Sequence, residues 1–312
     1  MPEPFEATSL RPLSIGELLD RAVTLFVRNF WLFCGLAAIV YVPLALVQSL
    51  LGDFWMWYAG TLSSLFNAHG KIPDIPANAA MLQRVNIVSL FELVIWLIAA
   101  PFASAALTYA AAELVVGRPA SFRMSVRFAL TRWLGVLLLL MLGMFLVGAV
   151  FIAGYLGLAM LALLATLILH SVVVGVVLGL FVLVAWFAVI TISFVAAGVG
   201  FVTFIVEPVN ALRAFAAGLE RVINRASLWR SLVVGLAYIA VSAGFSIVAY
   251  AAGFGLLFTL HTGVPLLLIA AIVSVVQLGF SVLIGVLYYY DLRARREGAD
   301  LAALVSQVAA SH

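Results

Sequence analysis

The sequence predicts an all-α, polytopic membrane protein: six transmembrane helices, arranged as three repeats of an interfacial amphipathic helix followed by a transmembrane hairpin. Three observations predict it. The 312 residues are 66% hydrophobic and only 9% charged, whereas a soluble domain is roughly 45–50% apolar and about 25% charged. Six apolar runs match or exceed the roughly 20 residues a helix needs to cross a bilayer. The few charged residues recur in the same order around those runs. Such a chain lacks the polar surface that a soluble fold of its size requires, which excludes a water-soluble enzyme or a nucleic-acid-binding domain.

The runs are 31–52, 85–112, 133–169, 171–206, 229–258 and 264–290. They lack the strict alternation of barrel strands. Residues 133–206 are 74 positions without Lys, Arg, Asp or Glu, long enough for two, three or four crossings. The positive-inside rule selects two, broken near His170–Ser171. With six spans, 14 of the 16 basic residues fall on one side: Arg11, Arg21, Arg28, Arg118, Arg123, Arg127, Arg132, Arg213, Arg221, Arg225, Arg230, Arg293, Arg295 and Arg296. Only Lys71 and Arg84 are left for the other side. The expectation is therefore a bacterial inner-membrane protein with both termini cytoplasmic. Residues 1–12 are polar and acidic and read as no cleavable signal.

Each pair of spans follows an amphipathic segment of helical period. In 14–28, Ile15, Leu18, Leu19, Ala22 and Phe26 oppose Glu17, Asp20, Arg21 and Arg28. In 121–132, Phe122, Val126 and Leu130 oppose Arg123, Arg127 and Thr131. In 209–224, Leu212, Phe215, Leu219 and Val222 oppose Arg213, Glu220 and Asn224. Such helices lie where arginine reaches headgroups. Each segment passes an Arg and a Trp into its hairpin, and each hairpin ends on an aromatic, an acid and an Arg. The expected repeats are 13–113, 120–207 and 208–293, with a cytoplasmic amphipathic tail at 294–312 carrying Leu301, Leu304, Val305 and Val308.

The opening Leu10-Arg11-Pro12-Leu13-Ser14-Ile15-Gly16-Glu17-Leu18-Leu19-Asp20-Arg21-Ala22, the Leu-Val-Val-Gly-Arg-Pro of 114–119, and the closing Tyr288-Tyr289-Tyr290-Asp291-Leu292-Arg293-Ala294-Arg295-Arg296-Glu297-Gly298 resemble the bacterial glycerophosphoryl diester phosphodiesterase membrane domain family, six-helix inner-membrane proteins. The resemblance implies a membrane domain. It implies no phosphodiesterase activity, because the catalytic barrel of some relatives needs about 250 further residues. Pro208 directly after Glu207 departs from the family pattern at the third cytoplasmic turn.

Motifs of membrane catalysis are missing: there is no His-Glu-x-x-His zinc helix, no Lys-bearing phosphate loop and no aspartate cluster for a divalent metal. No enzyme activity and no cofactor are expected. Cys34 alone makes neither a disulfide nor a multi-cysteine metal site. His69, His170 and His261 fall one in each external hairpin tip. Three imidazoles can hold zinc with an open fourth position, although ordinary loop histidines fit the same pattern. Glu92 is the one acid within a span, a functional candidate by default, although eight residues after Arg84 it fits equally an interfacial acid that snorkels or pairs on that side; Pro43 and Pro101 interrupt spans one and two, kinking the walls of a cavity or only shaping the packing. Glu113, Glu207 and Asp291 close the three hairpins and, paired with arginine of a neighbouring repeat, would form with Arg118, Arg213 and Arg293 a candidate cytoplasmic ion-pair ring; arginines that only orient the spans and attract anionic lipid fit the same pattern. The expected partners are membrane lipids, with anionic headgroups at the cytoplasmic face, and other membrane proteins; no nucleic acid is expected and the oligomeric state is open. Two functions fit: a non-catalytic lipid-binding scaffold or partner subunit, and a carrier or exporter of a lipid or other amphiphile along a cavity lined by spans one and two.

Overall fold

The computed structural model describes residues 13–51, 79–167, 172–260 and 264–310. Among these residues the chain forms helices α1 (Ile15–Arg28), α2 (Phe30–Gln48), α3 (Ala79–Val115), α4 (Phe122–Leu167), α5 (Val172–Val206), α6 (Ala211–Ile223), α7 (Leu228–Leu260) and α8 (Val264–Ala310), with one 3-10 turn at Ser49–Leu51. Six of them, α2, α3, α4, α5, α7 and α8, are long and apolar enough to cross a membrane. The ambiguous block 133–206 is divided between two helices, α4 and α5, as the charge distribution required.

Local chemistry sets most helix ends. Ser14 caps α1 reciprocally: the Glu17 N–H donates to Ser14 Oγ at 3.2 Å and the Ser14 N–H to Glu17 Oε2 at 2.7 Å, a capping box that satisfies two otherwise orphaned donors. Asn29 ends α1, its side-chain amide donating to the Leu25 carbonyl at 3.0 Å. Gly117, at φ +84°, ends α3. The Arg118 N–H reaches back to the Glu113 carbonyl at 2.8 Å, the bond pattern of a left-handed glycine terminus. Asn210 caps α6 by accepting the Arg213 N–H at 2.8 Å.

Two amphipathic segments, α1 and α6, are separate helices. The second is not: residues 122–132 are the first three turns of α4, which runs unbroken for 46 residues, about 69 Å at 1.5 Å per residue. Asn29 and the Asn224-Arg225-Ala226-Ser227 turn interrupt the backbone in the other two places, because short polar side chains bond to nearby backbone and compete with the helix. Ala129-Leu130-Thr131-Arg132-Trp133 holds no Asn, Gly or Pro, and its one short polar side chain, Thr131, donates to the Phe128 carbonyl at 2.7 Å with the helix intact. The tail expected from residue 294 is likewise continuous with the last span, since α8 extends through Ala310.

Packing places the second span of each hairpin inside. α3, α5 and α8 touch one another, while α2, α4 and α7 occupy the outer grooves. Each outer helix rests against its own hairpin partner and against the inner span of the preceding hairpin: α2 on α3 and α8, α4 on α5 and α3, α7 on α8 and α5. α1 lies on α8 and α6 on α5. The α6–α5 crossing is backbone on backbone: a methyl group at Gly218 would stand 2.5 Å from the Ala196 carbonyl oxygen and the Gly200 nitrogen. Small residues allow such approach, which matters where lipid gives helices no hydrophobic reason to associate.

Candidate functional site: a polar collar on the last span

The basic end of the bundle is organised by four consecutive residues of α8. Successive helical residues point about 100° apart, so Tyr288, Tyr289 and Tyr290 face three different neighbours, and Asp291, three residues after Tyr288, returns to the first. All four are buried.

Tyr288 faces α7, its hydroxyl 2.6 Å from Ser231 Oγ. Tyr289 faces α5 and α6, donating to Glu207 Oε1 at 2.5 Å. The same oxygen accepts Arg221 Nη2 at 2.7 Å, while Arg221 Nη1 donates to Thr203 Oγ1 at 2.8 Å. The Arg221 guanidinium also stands 5.3 Å from the Tyr289 ring centroid, a cation–π distance. Tyr290 lies in the field of Glu113, Arg118 and Arg293. Glu113 pairs with Arg118 at 3.5 Å, but the Arg118 side chain is 67% exposed, so that pair is the weak member.

Asp291 is the strongest anchor. Its carboxylate has no exposed surface and accepts Arg230 Nε at 2.8 Å and Arg295 Nε at 3.1 Å. It also accepts the Leu13 N–H at 2.7 Å. Both arginines donate in turn to the Leu13 carbonyl, Arg295 at 3.0 Å. Leu13, at the entry to α1, is thus held through both its N–H and its carbonyl. A carboxylate so buried is tolerated because two cations and an amide satisfy it.

The three acids expected in an ion-pair ring therefore all carry arginine, with a different membership. Glu113 takes Arg118. Glu207 takes Arg221 in place of Arg213, which is exposed on the outer side of α6. Asp291 takes Arg230 and Arg295 in place of Arg293, which is exposed near Tyr289 and Tyr290. Sequence order put Arg213 nearest Glu207, but Arg221 is the arginine that shares the packed stripe of Ala211, Ala214, Gly218 and Val222. That phase was readable. The tyrosines read as an interfacial belt, and nothing local marked them as the hub.

Glu92 lies apart from the collar. It is half-buried in α3 and shares a stripe with Val88, Ile95, Ala99 and Ala103, while Leu90, Phe91, Leu93 and Val94 are exposed. Farther along this stripe Ala103 packs with Ala100 and with Val40 and Leu44 of α2, against which Ile95 and Ala99 lean. Pro43 and Pro101 sit within α2 and α3 beside this contact. His69, His170 and His261 lie outside the described residues.

Fold and collar together define a class: an α-helical, multi-pass integral membrane protein. Compared with known proteins, no family model, curated protein or solved structure matches the chain.

Proposed function

We propose that this protein is a non-catalytic lipid-binding scaffold or partner subunit in a bacterial inner membrane, with its basic end and both termini cytoplasmic. The observation that carries the reading is the collar, in which one turn of α8 bonds to α7, to Glu207 at the end of α5 and to Leu13 at the entry to α1. A carrier must open each end in turn, and parting α7 from α8 here would take from a fully buried carboxylate one of its two arginines, Arg230, a costly loss for a charge held out of water. Beneath the collar the inner spans are filled: Ala103, Ala106, Leu107, Ala110, Val199, Val202, Leu283, Val286 and Leu287 are all nearly inaccessible. The orientation rests on the concentration of arginine at this end. The cyclic packing of outer on inner spans supports a triplicated hairpin, and the likeness of the two chain ends to the six-helix family points the same way.

A second reading, a carrier of a lipid or other amphiphile, is favoured by Glu92 on the packed side of α3 and by the lack of buried residues in α4 and α5 between 144 and 190 among the described residues. Reconstitution into liposomes separates the two. The scaffold reading expects no proton- or lipid-dependent flux from the wild type. Flux that disappears in Glu92→Gln would establish the carrier.

A further inference from the structure

We propose that the outer face of α4 is a binding site for an anionic phospholipid, with Arg123 and Arg127 taking the phosphate and the leucines beyond them lying along an acyl chain. The proposal rests on the lipid-binding reading above and names the lipid class and its seat.

The arginines of the basic end are engaged to different degrees, and Arg123, Arg127, Arg213 and Arg225 are exposed and in no ion pair among the described residues. Arg118, Arg221, Arg230, Arg295 and Arg296 are committed to acids, Arg21 reaches the Val115 carbonyl at 3.5 Å, and Arg132 lies over the Phe204 ring at 5.4 Å. Arg123 and Arg127 are exposed, and neither has a hydrogen-bond or ion-pair partner among the described residues. They stand four residues apart, adjacent on one helix face.

Past Arg127 the same face turns apolar. Leu130, Leu134, Leu138, Met141 and Phe145 continue the spacing of three and four residues, and each is exposed, Leu130 and Leu134 at 62% and 64%. From Leu130 to Phe145 this stripe rises about 22 Å, more than the roughly 15 Å depth of one leaflet's hydrocarbon. Two cations in line with such a stripe match an anionic headgroup in line with its chain. The alignment exists because α4 is unbroken. In the other two hairpins the interruptions at Asn29 and at 224–227 turn the amphipathic helix out of register with its span.

The experiment measures phospholipid retained by the full-length protein, by native mass spectrometry in mild detergent with equal phosphatidylglycerol and phosphatidylcholine. The wild type is expected to retain phosphatidylglycerol preferentially. Arg123→Gln/Arg127→Gln should reduce that preference at least fivefold, Arg123→Lys/Arg127→Lys should keep most of it, and Arg213→Gln/Arg225→Gln, two exposed arginines elsewhere, should leave it intact. All four positions are exposed, and retained helicity in circular dichroism verifies folding. An undiminished preference in Arg123→Gln/Arg127→Gln overturns the site while leaving lipid binding standing. Equal losses in both glutamine pairs assign the effect to diffuse charge and also overturn it. A wild type without preference overturns the site and, with it, the lipid-binding part of the proposed function.

Discussion

The two ends of the bundle are held by different physics. At the basic end, directional polar contacts from one turn of α8 reach α1, α5, α6 and α7, and buried residues are dense. Toward the opposite end, no described residue of α4 or α5 between 144 and 190 is buried. There α4 and α5 are held to each other by a local device: the Trp186 indole N–H donates to the Val150 carbonyl at 3.1 Å and its ring covers Gly154, where a methyl group would stand 2.0 Å from it. α7 and α8 meet similarly through Gly253 against Leu266. Lipid chains are as apolar as leucine, so helices gain little by exchanging lipid for each other unless small residues or polar groups intervene. The collar binds the last hairpin to the second and to the entry of α1; the glycine contacts bind the second and third hairpins each to itself.

This contrast makes graded predictions. The largest effect belongs to Asp291→Asn, which leaves Arg230 and Arg295 without their counter-charge. It should cost about 3–5 kcal/mol in a denaturant titration of the detergent-solubilised protein, and a loss below about 1 kcal/mol would break the claim that the collar holds the hairpins together. Tyr289→Phe keeps the ring but removes the hydroxyl from Glu207. Hydrogen bonds to charged groups contribute about 1.5–3 kcal/mol, and the partial exposure of Glu207 places the expectation at the low end, with the same titration as readout. The smallest effect is Gly154→Ala. Trp186 must swing away and give up its bond to Val150, worth about 1 kcal/mol. Hydrogen exchange should rise within 144–190 and stay unchanged around Tyr288–Asp291; exchange rising at both ends would show that the opposite end is coupled to the collar after all.

Much of the fold was legible in the sequence. The two-helix division of 133–206 followed from charge placement, whereas the helix ends set by Ser14, Asn29, Gly117 and Asn210 came from the structure. The continuity of α4 was less legible, since amphipathic periodicity is the same whether a segment lies apart or leads straight into a span; the absence of Asn, Gly and Pro between Ala129 and Leu134 was the available signal. Of the candidate site, the acids Glu113, Glu207 and Asp291 were identified, while Arg221, Arg230, Arg295 and the three tyrosines were not assigned to it.

By itself, the sequence determined that this chain is built from six long apolar helices with its arginines gathered at one end. Backbone groups in hydrocarbon must bond within their own helix, and charge is too costly there to be placed elsewhere. Only the tertiary structure decided which arginine meets which acid. A helix presents a new face with every residue, so a partner fourteen positions away, as Arg221 is from Glu207, can be the right one and the nearest in sequence the wrong one. The relative rotation of α6 on α5 and of α7 on α8 is set by contacts such as Gly218 on Gly200, between residues far apart along the chain.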